Sequence, residues 1–164
     1  MSERDDSRDL AALRQRVIAA RATLASLPVS SDRDSGPVDP ATGESWHRGN
    51  VLGHVSEMLA YWTDQIRLAK EGSGTVGRDQ EGAAQRRRGI DKGNAAAERE
   101  LKVAVDDEIG SVEALLGELS PGDLERTVVF HNREGDRQAG IGELLQMLIV
   151  GHLEEHLTQL AALG

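Results

Sequence analysis

Apolar residues recur at alternating steps of three and four in four stretches of the chain, the spacing of a single helix face. In the first, Leu10, Leu13, Val17, Ala20, Leu24 and Leu27 fall in register, and Pro28 closes the run. Val51, Val55, Met58, Leu59, Trp62 and Ile66 mark a second helix from about Trp46 to Lys70, with Ser45 placed as its N-cap. A third runs from about Asn94 to Leu119 on Leu101, Val105, Ile109, Val112, Leu116 and Leu119, and Ser120-Pro121-Gly122-Asp123 stops it. The fourth, from about Ile141 to Leu163, is the most apolar.

Residues 28–45 and 71–92 are read as loops. The first is dense in Gly, Pro, Ser and Asp, and the second opens with a Gly-rich break whose polar remainder gives a short helix little support. Thr127-Val128-Val129-Phe130 is β-prone and Asn132–Asp136 supplies a turn, which predicts a short extended excursion or hairpin too small to form a sheet. Four helices around one core predict an all-α fold, an antiparallel four-helix bundle in one domain over 1–164.

Composition narrows the function classes. Aromatic residues are few (Trp46, Tyr61, Trp62 and Phe130), so Leu, Val, Ile and Ala must build the core, a palette suited to helix packing. The net charge of -9 repels phosphate backbones, and nucleic acid is not an expected partner. The basic run Arg86–Arg88 reads as a solvated segment. The absence of cysteine excludes disulfides, thiolate ligands and a cysteine nucleophile. The charged start, Met1 to Asp9, lacks the apolar stretch of a secretory leader, and no run is long enough to span a bilayer. No membrane association and a cytoplasmic location are expected.

Candidate chemistry rests on histidine. His152 and His156 stand one turn apart, and a straight-helix projection places both at the centre of the last helix's apolar face. His54 falls at the margin of the second helix's apolar arc. A buried imidazole needs partners for both ring nitrogens, and protonation inside the core is unfavourable. A divalent ion resolves this by taking the bare nitrogen of each ring, with two ligands from one helix and a third from a facing one. The fourth position would stay open to water or substrate. Hydrogen-bonded core histidines without metal are the competing reading. Glu57, Glu155 and Gln159 are candidate partners for the rings. His47 and His131 lie near loop boundaries and are assigned no role, and Trp46 and Trp62 are read as core packing.

The stretch Ser45–Trp62 (SWHRGNVLGHVSEMLAYW) resembles the second helix of DinB/YfiT-like proteins, and Gly151–Leu160 (GHLEEHLTQL) resembles their closing helix with its HxxxH pair. Thr127–Gly140 is similar to the extended stretch that precedes that helix. The resemblance runs from about residue 8 to the end and is loose between 71 and 120. It implies a four-helix bundle with a three-ligand metal site, zinc or nickel, held here by His54, His152 and His156. A mycothiol-dependent maleylpyruvate isomerase branch can carry Glu at the position of His152, whereas this chain has His, as in the DinB-like and bacillithiol-transferase-like pattern. The implied activity is S-transfer or isomerisation with a low-molecular-weight thiol such as mycothiol acting on an electrophilic substrate. That suits a chain with no cysteine of its own. A non-catalytic metal-binding or stress-response bundle is the alternative. Such bundles are compatible with a homodimer, although no apolar patch in the sequence marks its interface.

Overall fold

The computed structural model describes residues 5–163; part of the charged start, Met1 to Asp9, lies outside them. Four long helical stretches carry the fold, as the periodicity predicts. Asp9 opens α1 (Leu10–Ser26) by accepting from the Ala12 amide, and Leu13, Val17, Ala20 and Leu24 form its buried stripe. α2 (Arg48–Lys70) begins two residues later than the pattern suggests. Its N-cap is His47 instead of Ser45: Nδ1 of His47 accepts from the Asn50 amide and Asn50 Oδ1 accepts from the His47 amide, a reciprocal capping box. His47, which the sequence left without a role, therefore starts a helix.

The stretch 71–92, read as a loop, contains two further elements. A short strand β1 (Thr75–Gly77) is followed by a 13-residue helix α3 (Gln80–Lys92), capped by Asp79. Later glycines of this stretch serve close packing against α2. A Cβ on Gly53 would lie 2.3 Å from the Gly89 carbonyl oxygen, and one on Gly49 would lie 2.2 Å from that of Gly93. Two glycines four residues apart on α2 thus meet Gly89 of α3 and its C-cap Gly93, and the backbones touch without side chains between them. α4 (Glu98–Glu118) follows, with Leu101, Val105, Ile109, Val112, Leu115 and Leu116 buried, and packs along α2 and α1.

A short helix α5 (Pro121–Glu125) leads into β2 (Thr127–Asn132) and β3 (Gly135–Gly140). The hairpin turn ends at Gly135, whose φ of +112° only glycine adopts without strain. β1 pairs in parallel with β2 (Val76 opposite Phe130), giving a three-stranded sheet of order β1-β2-β3. The expectation of an all-α fold, with an excursion too small for a sheet, is corrected by this third strand. It comes from the supposed loop and seals Val76, Val128, Phe130 and Ala139 against the bundle.

The last helical stretch is not one regular α-helix. It comprises α6 (Ile141–Leu145), a π-helical segment (Gln146–Val150) and α7 (Gly151–Ala162). At its centre the Gly151 amide bonds to the Gln146 carbonyl, five residues back. Gln146 is anchored from outside the helix, where its Oε1 accepts from the Asp6 amide at 2.7 Å.

Below the site, Arg48 and Glu98 form a fully buried ion pair (Nη2–Oε1 2.6 Å). Arg48 also donates to the carbonyls of Leu160 and Pro28, and Glu98 accepts from the Ser30 amide. The pair thereby ties α2, α4, α7 and the start of the 28–47 connection together, and its charges have the hydrogen-bonding partners that burial demands. No helix among the described residues is long and apolar enough to cross a membrane.

Candidate metal centre

His54, His152 and His156 come together where α2 faces α7, and one ring nitrogen from each lies within 4.8 Å of the others. The ring centroids are 4.8 Å apart for His54 and His156, 4.6 Å for His152 and His156, and 5.5 Å for His54 and His152. Their burial inverts the expectation from the helical projection. His54, placed at the margin of the core, is 3% exposed, while His152 and His156, placed at the centre of a core face, are only half-buried. Both discrepancies have a structural cause. The 28–47 connection and α3 cover His54, and the π turn rotates α7 so that Leu153, Leu157 and Leu160 face the core and the histidines face a cavity.

The rings are neutral. Burial, together with the neighbouring rings, pulls His54 down to about 2 and His152 down to about 3, and burial also lowers His156. Outer partners set the orientation of two rings. Nδ1 of His156 lies 2.8 Å from Gln159 Oε1, and His152 hydrogen-bonds the Leu148 carbonyl. The Gln159 contact makes Nδ1 the protonated nitrogen of His156 and leaves Nε2 as a bare acceptor. That Nε2 and Nδ1 of His54 are buried with no hydrogen-bond partner. Unpartnered buried nitrogens on adjacent neutral rings fit a divalent cation, and an outer hydrogen bond on the second ring nitrogen, as His156 and His152 have, is the usual companion of a histidine ligand. Ligation at about 2.1 Å needs only small side-chain rotations from the observed spacing.

The three rings form one wall of a cavity of about 610 Å³. Trp46 lies over two of them, 4.9 Å from His54 and stacked at 5.9 Å on His156. Both tryptophans combine core packing with the cavity wall: Trp46 is partly buried against the core, and Trp62, 7% exposed, packs in the core beside Tyr61. Glu44, in the connection above, accepts from Arg86, Arg87 and Trp46 Nε1. Burial would raise its pKa, but Arg86 and Trp46 more than offset that and hold it below the ordinary value. Arg78 is locked by a two-pronged pair with Glu57 (2.6 and 2.9 Å) and lies 4.2 Å from the Tyr61 ring centroid.

Of the other candidates, Gln159 holds a ring as proposed. Glu57 instead holds Arg78, and Glu155 is exposed. His131 sits in β2, 2.5 Å from Asp136 on β3, and lines the cavity. Arg86, read as part of a solvated run, faces the cavity from α3. Glu44 and Arg78 carried no sequence signal, because they lie in segments read as loops, and the signal at Arg86 was a charge run without a direction.

A helical bundle with three convergent histidines on a cavity wall is the class these features define. The family model for the DinB superfamily matches residues 19–160, and the chain belongs to that superfamily. Among solved structures it is similar to YfiT from Bacillus subtilis, described as a probable metal-dependent hydrolase with an unusual four-helix bundle topology. The match has a TM-score of 0.68 at 15% identity and covers 99% of this chain and 88% of that one. No curated protein matches the sequence significantly.

Proposed function

We propose that the protein is a metal-dependent enzyme in which His54, His152 and His156 hold one divalent ion, zinc or nickel. Its activity is S-transfer or isomerisation of an electrophilic substrate with a low-molecular-weight thiol of mycothiol type. The observation that carries this reading is the pair of buried, unpartnered ring nitrogens, His54 Nδ1 and His156 Nε2, on neutral rings at the wall of a cavity. An ion at this position supplies Lewis acidity, which lowers the pKa of a coordinated thiol. The protein's own residues do the rest. Gln159 and Leu148 hold the proton on the outer nitrogen of their rings, Trp46 excludes water from one side, and the open side of the cavity admits thiol and electrophile.

Two features favour thiol chemistry. The chain has no cysteine, so a sulfur nucleophile must come from outside. For hydrolysis, a carboxylate is one of the groups that can take a proton from water. The carboxylates lining the cavity are Asp39 and Glu44, and Glu44 is committed to Arg86, Arg87 and Trp46. Hydrolysis remains the second reading, on the likeness to YfiT.

The test begins with metal analysis of untagged protein and its His54→Ala variant. The loaded protein is then assayed with mycothiol, bacillithiol or glutathione over an electrophile panel. Turnover requiring both metal and thiol is the expected result. Ester or amide hydrolysis without thiol selects the second reading, bound metal without turnover indicates a non-catalytic metal protein, and a wild type that retains no metal overturns the proposal.

A further inference from the structure

Arg86 differs from the other arginine seated deep in the cavity. Arg78 gives both terminal nitrogens to Glu57 and one of them also to the Gly82 carbonyl. Arg86 gives Nη2 to Glu44 at 3.0 Å, while its Nε and Nη1 donate to no group among the described residues. Its side chain is 24% exposed, so those donors are hydrated and available. They lie close to the histidine wall. The Arg86 Cζ is 5.6 Å from the centroid of Trp46, the ring stacked on His156. Arg133, on the β2–β3 turn, lines the same cavity and makes no ion pair among the described residues. In a chain of net charge -9, this cavity gathers Arg78, Arg86 and Arg133 against Asp39 and Glu44.

We propose that Arg86, with Arg133 at the rim, forms an anion subsite beside the three histidines that binds a carboxylate group of the substrate. This deepens the reading above by naming a substrate class: an electrophile, or a thiol, that carries a carboxylate. A guanidinium with spare N–H donors matches a planar carboxylate through charge-assisted hydrogen bonds. Apolar walls of Trp46, Trp62 and Phe130 strengthen that attraction relative to open water and offer contact to an unsaturated or aromatic body. Glu44 and Asp39 offset much of the positive charge of Arg86 and Arg133, so a second negative charge on the ligand adds little attraction, and the planar fork of a guanidinium suits a carboxylate.

Calorimetric titration with benzoate and with its neutral isostere benzamide tests the subsite, first on the metal-loaded protein and then with chelator present. Benzoate is expected to bind more tightly than benzamide in both forms. Arg86→Gln should weaken benzoate at least tenfold and leave benzamide unchanged. Arg88→Gln, on the exposed side of the same helix and paired with Glu81, should change neither by more than about twofold. Glu44→Gln removes the competing carboxylate and should tighten benzoate, an effect of opposite sign that a folding defect in Arg86→Gln cannot produce. Benzoate binding that disappears with chelator and ignores Arg86→Gln would place the carboxylate on the ion and overturn the subsite. Inorganic phosphate binding more tightly than benzoate would overturn the choice of a carboxylate. Because the chelated arm contains no metal and requires no turnover, its outcome is independent of whether the catalytic reading holds.

Discussion

Gln159 Oε1 lies 2.8 Å from Nδ1 of His156, three residues earlier on the same helix. The amide oxygen accepts the ring proton and thereby presents Nε2 of His156 to the other two rings. Gln159→Leu removes the acceptor while keeping similar bulk. Metal affinity, measured by competition with a chromophoric chelator, is expected to fall about 10- to 100-fold, the usual cost of losing such an outer partner. Thermal stability without metal should change little, since Gln159 is on the solvent side. Unchanged affinity would show that the contact does not orient the ring.

The crossing of α2 and α3 gives a sharper test of stability. Gly53→Ala forces a Cβ to within 2.3 Å of the Gly89 carbonyl oxygen, and backbone cannot move aside as a side chain can. A loss of about 1–3 kcal/mol or more is expected from overpacking. Gly117→Ala, on the exposed end of α4 with nothing within 4 Å of the added Cβ, should instead gain about 0.5–1 kcal/mol. Urea denaturation of the two variants checks both signs. Gly53→Ala should also weaken the carboxylate subsite, because α3 carries Arg86.

The histidine cluster makes acid stability predictable in sign. In the unfolded chain these rings take up protons below their ordinary value of 6.5, whereas in the folded protein burial holds His54 near 2 and His152 near 3. The unfolded state therefore binds more protons as pH falls below 6.5, and stability declines. Above 6.5 both states are neutral and the contribution is flat. The slope is up to about 1.4 kcal/mol per pH unit for each ring kept neutral. Denaturation midpoints between pH 7.5 and 5, with chelator present, should fall with decreasing pH in the wild type and less steeply in His54→Gln. A wild type equally stable at pH 7.5 and 5 would contradict the neutral assignment.

The four long helical stretches were legible because their stripes are strong: Leu13, Val17 and Leu24 in α1 and Leu101, Val105 and Ile109 in α4 are all buried as the period requires. The helix α3 was not. Its inward side carries Gly82, Gly89 and the C-cap Gly93 with Ile90 as its one buried large side chain, and a face built mostly from absent side chains leaves no apolar period to read. β1 was missed for a related reason, since of its three residues only Val76 faces inward. The histidine set was legible as a set, but the exposure of its members was reversed. His54 is buried by residues distant in sequence, which a helix projection does not include.

His152 and His156 were misplaced by the projection because 141–162 is not a uniform helix. A π turn holds one residue more than an α turn, and each residue advances the face by about 100°. Ile141, Leu144 and Leu145 above it and Leu153, Leu157 and Leu160 below it can then all face the core, although no straight α-helix would align them. The segment 146–150 is consequently where this stretch can lose a residue. Deleting Met147, whose side chain is 41% exposed, should let the stretch close into a continuous α-helix with both apolar sets still inward. The variant is expected to fold with a melting temperature near that of the wild type and to keep the histidines on the cavity side. Deleting exposed Glu155 instead, one turn below the π segment, turns Leu157 and Leu160 away from the core by about 100°. Withdrawing two buried leucines should cost about 3–6 kcal/mol, at about 1.5–3 kcal/mol each. Circular dichroism melts of the two deletions separate these outcomes, and equal losses in both would mean that the π turn does not set the phase of α7.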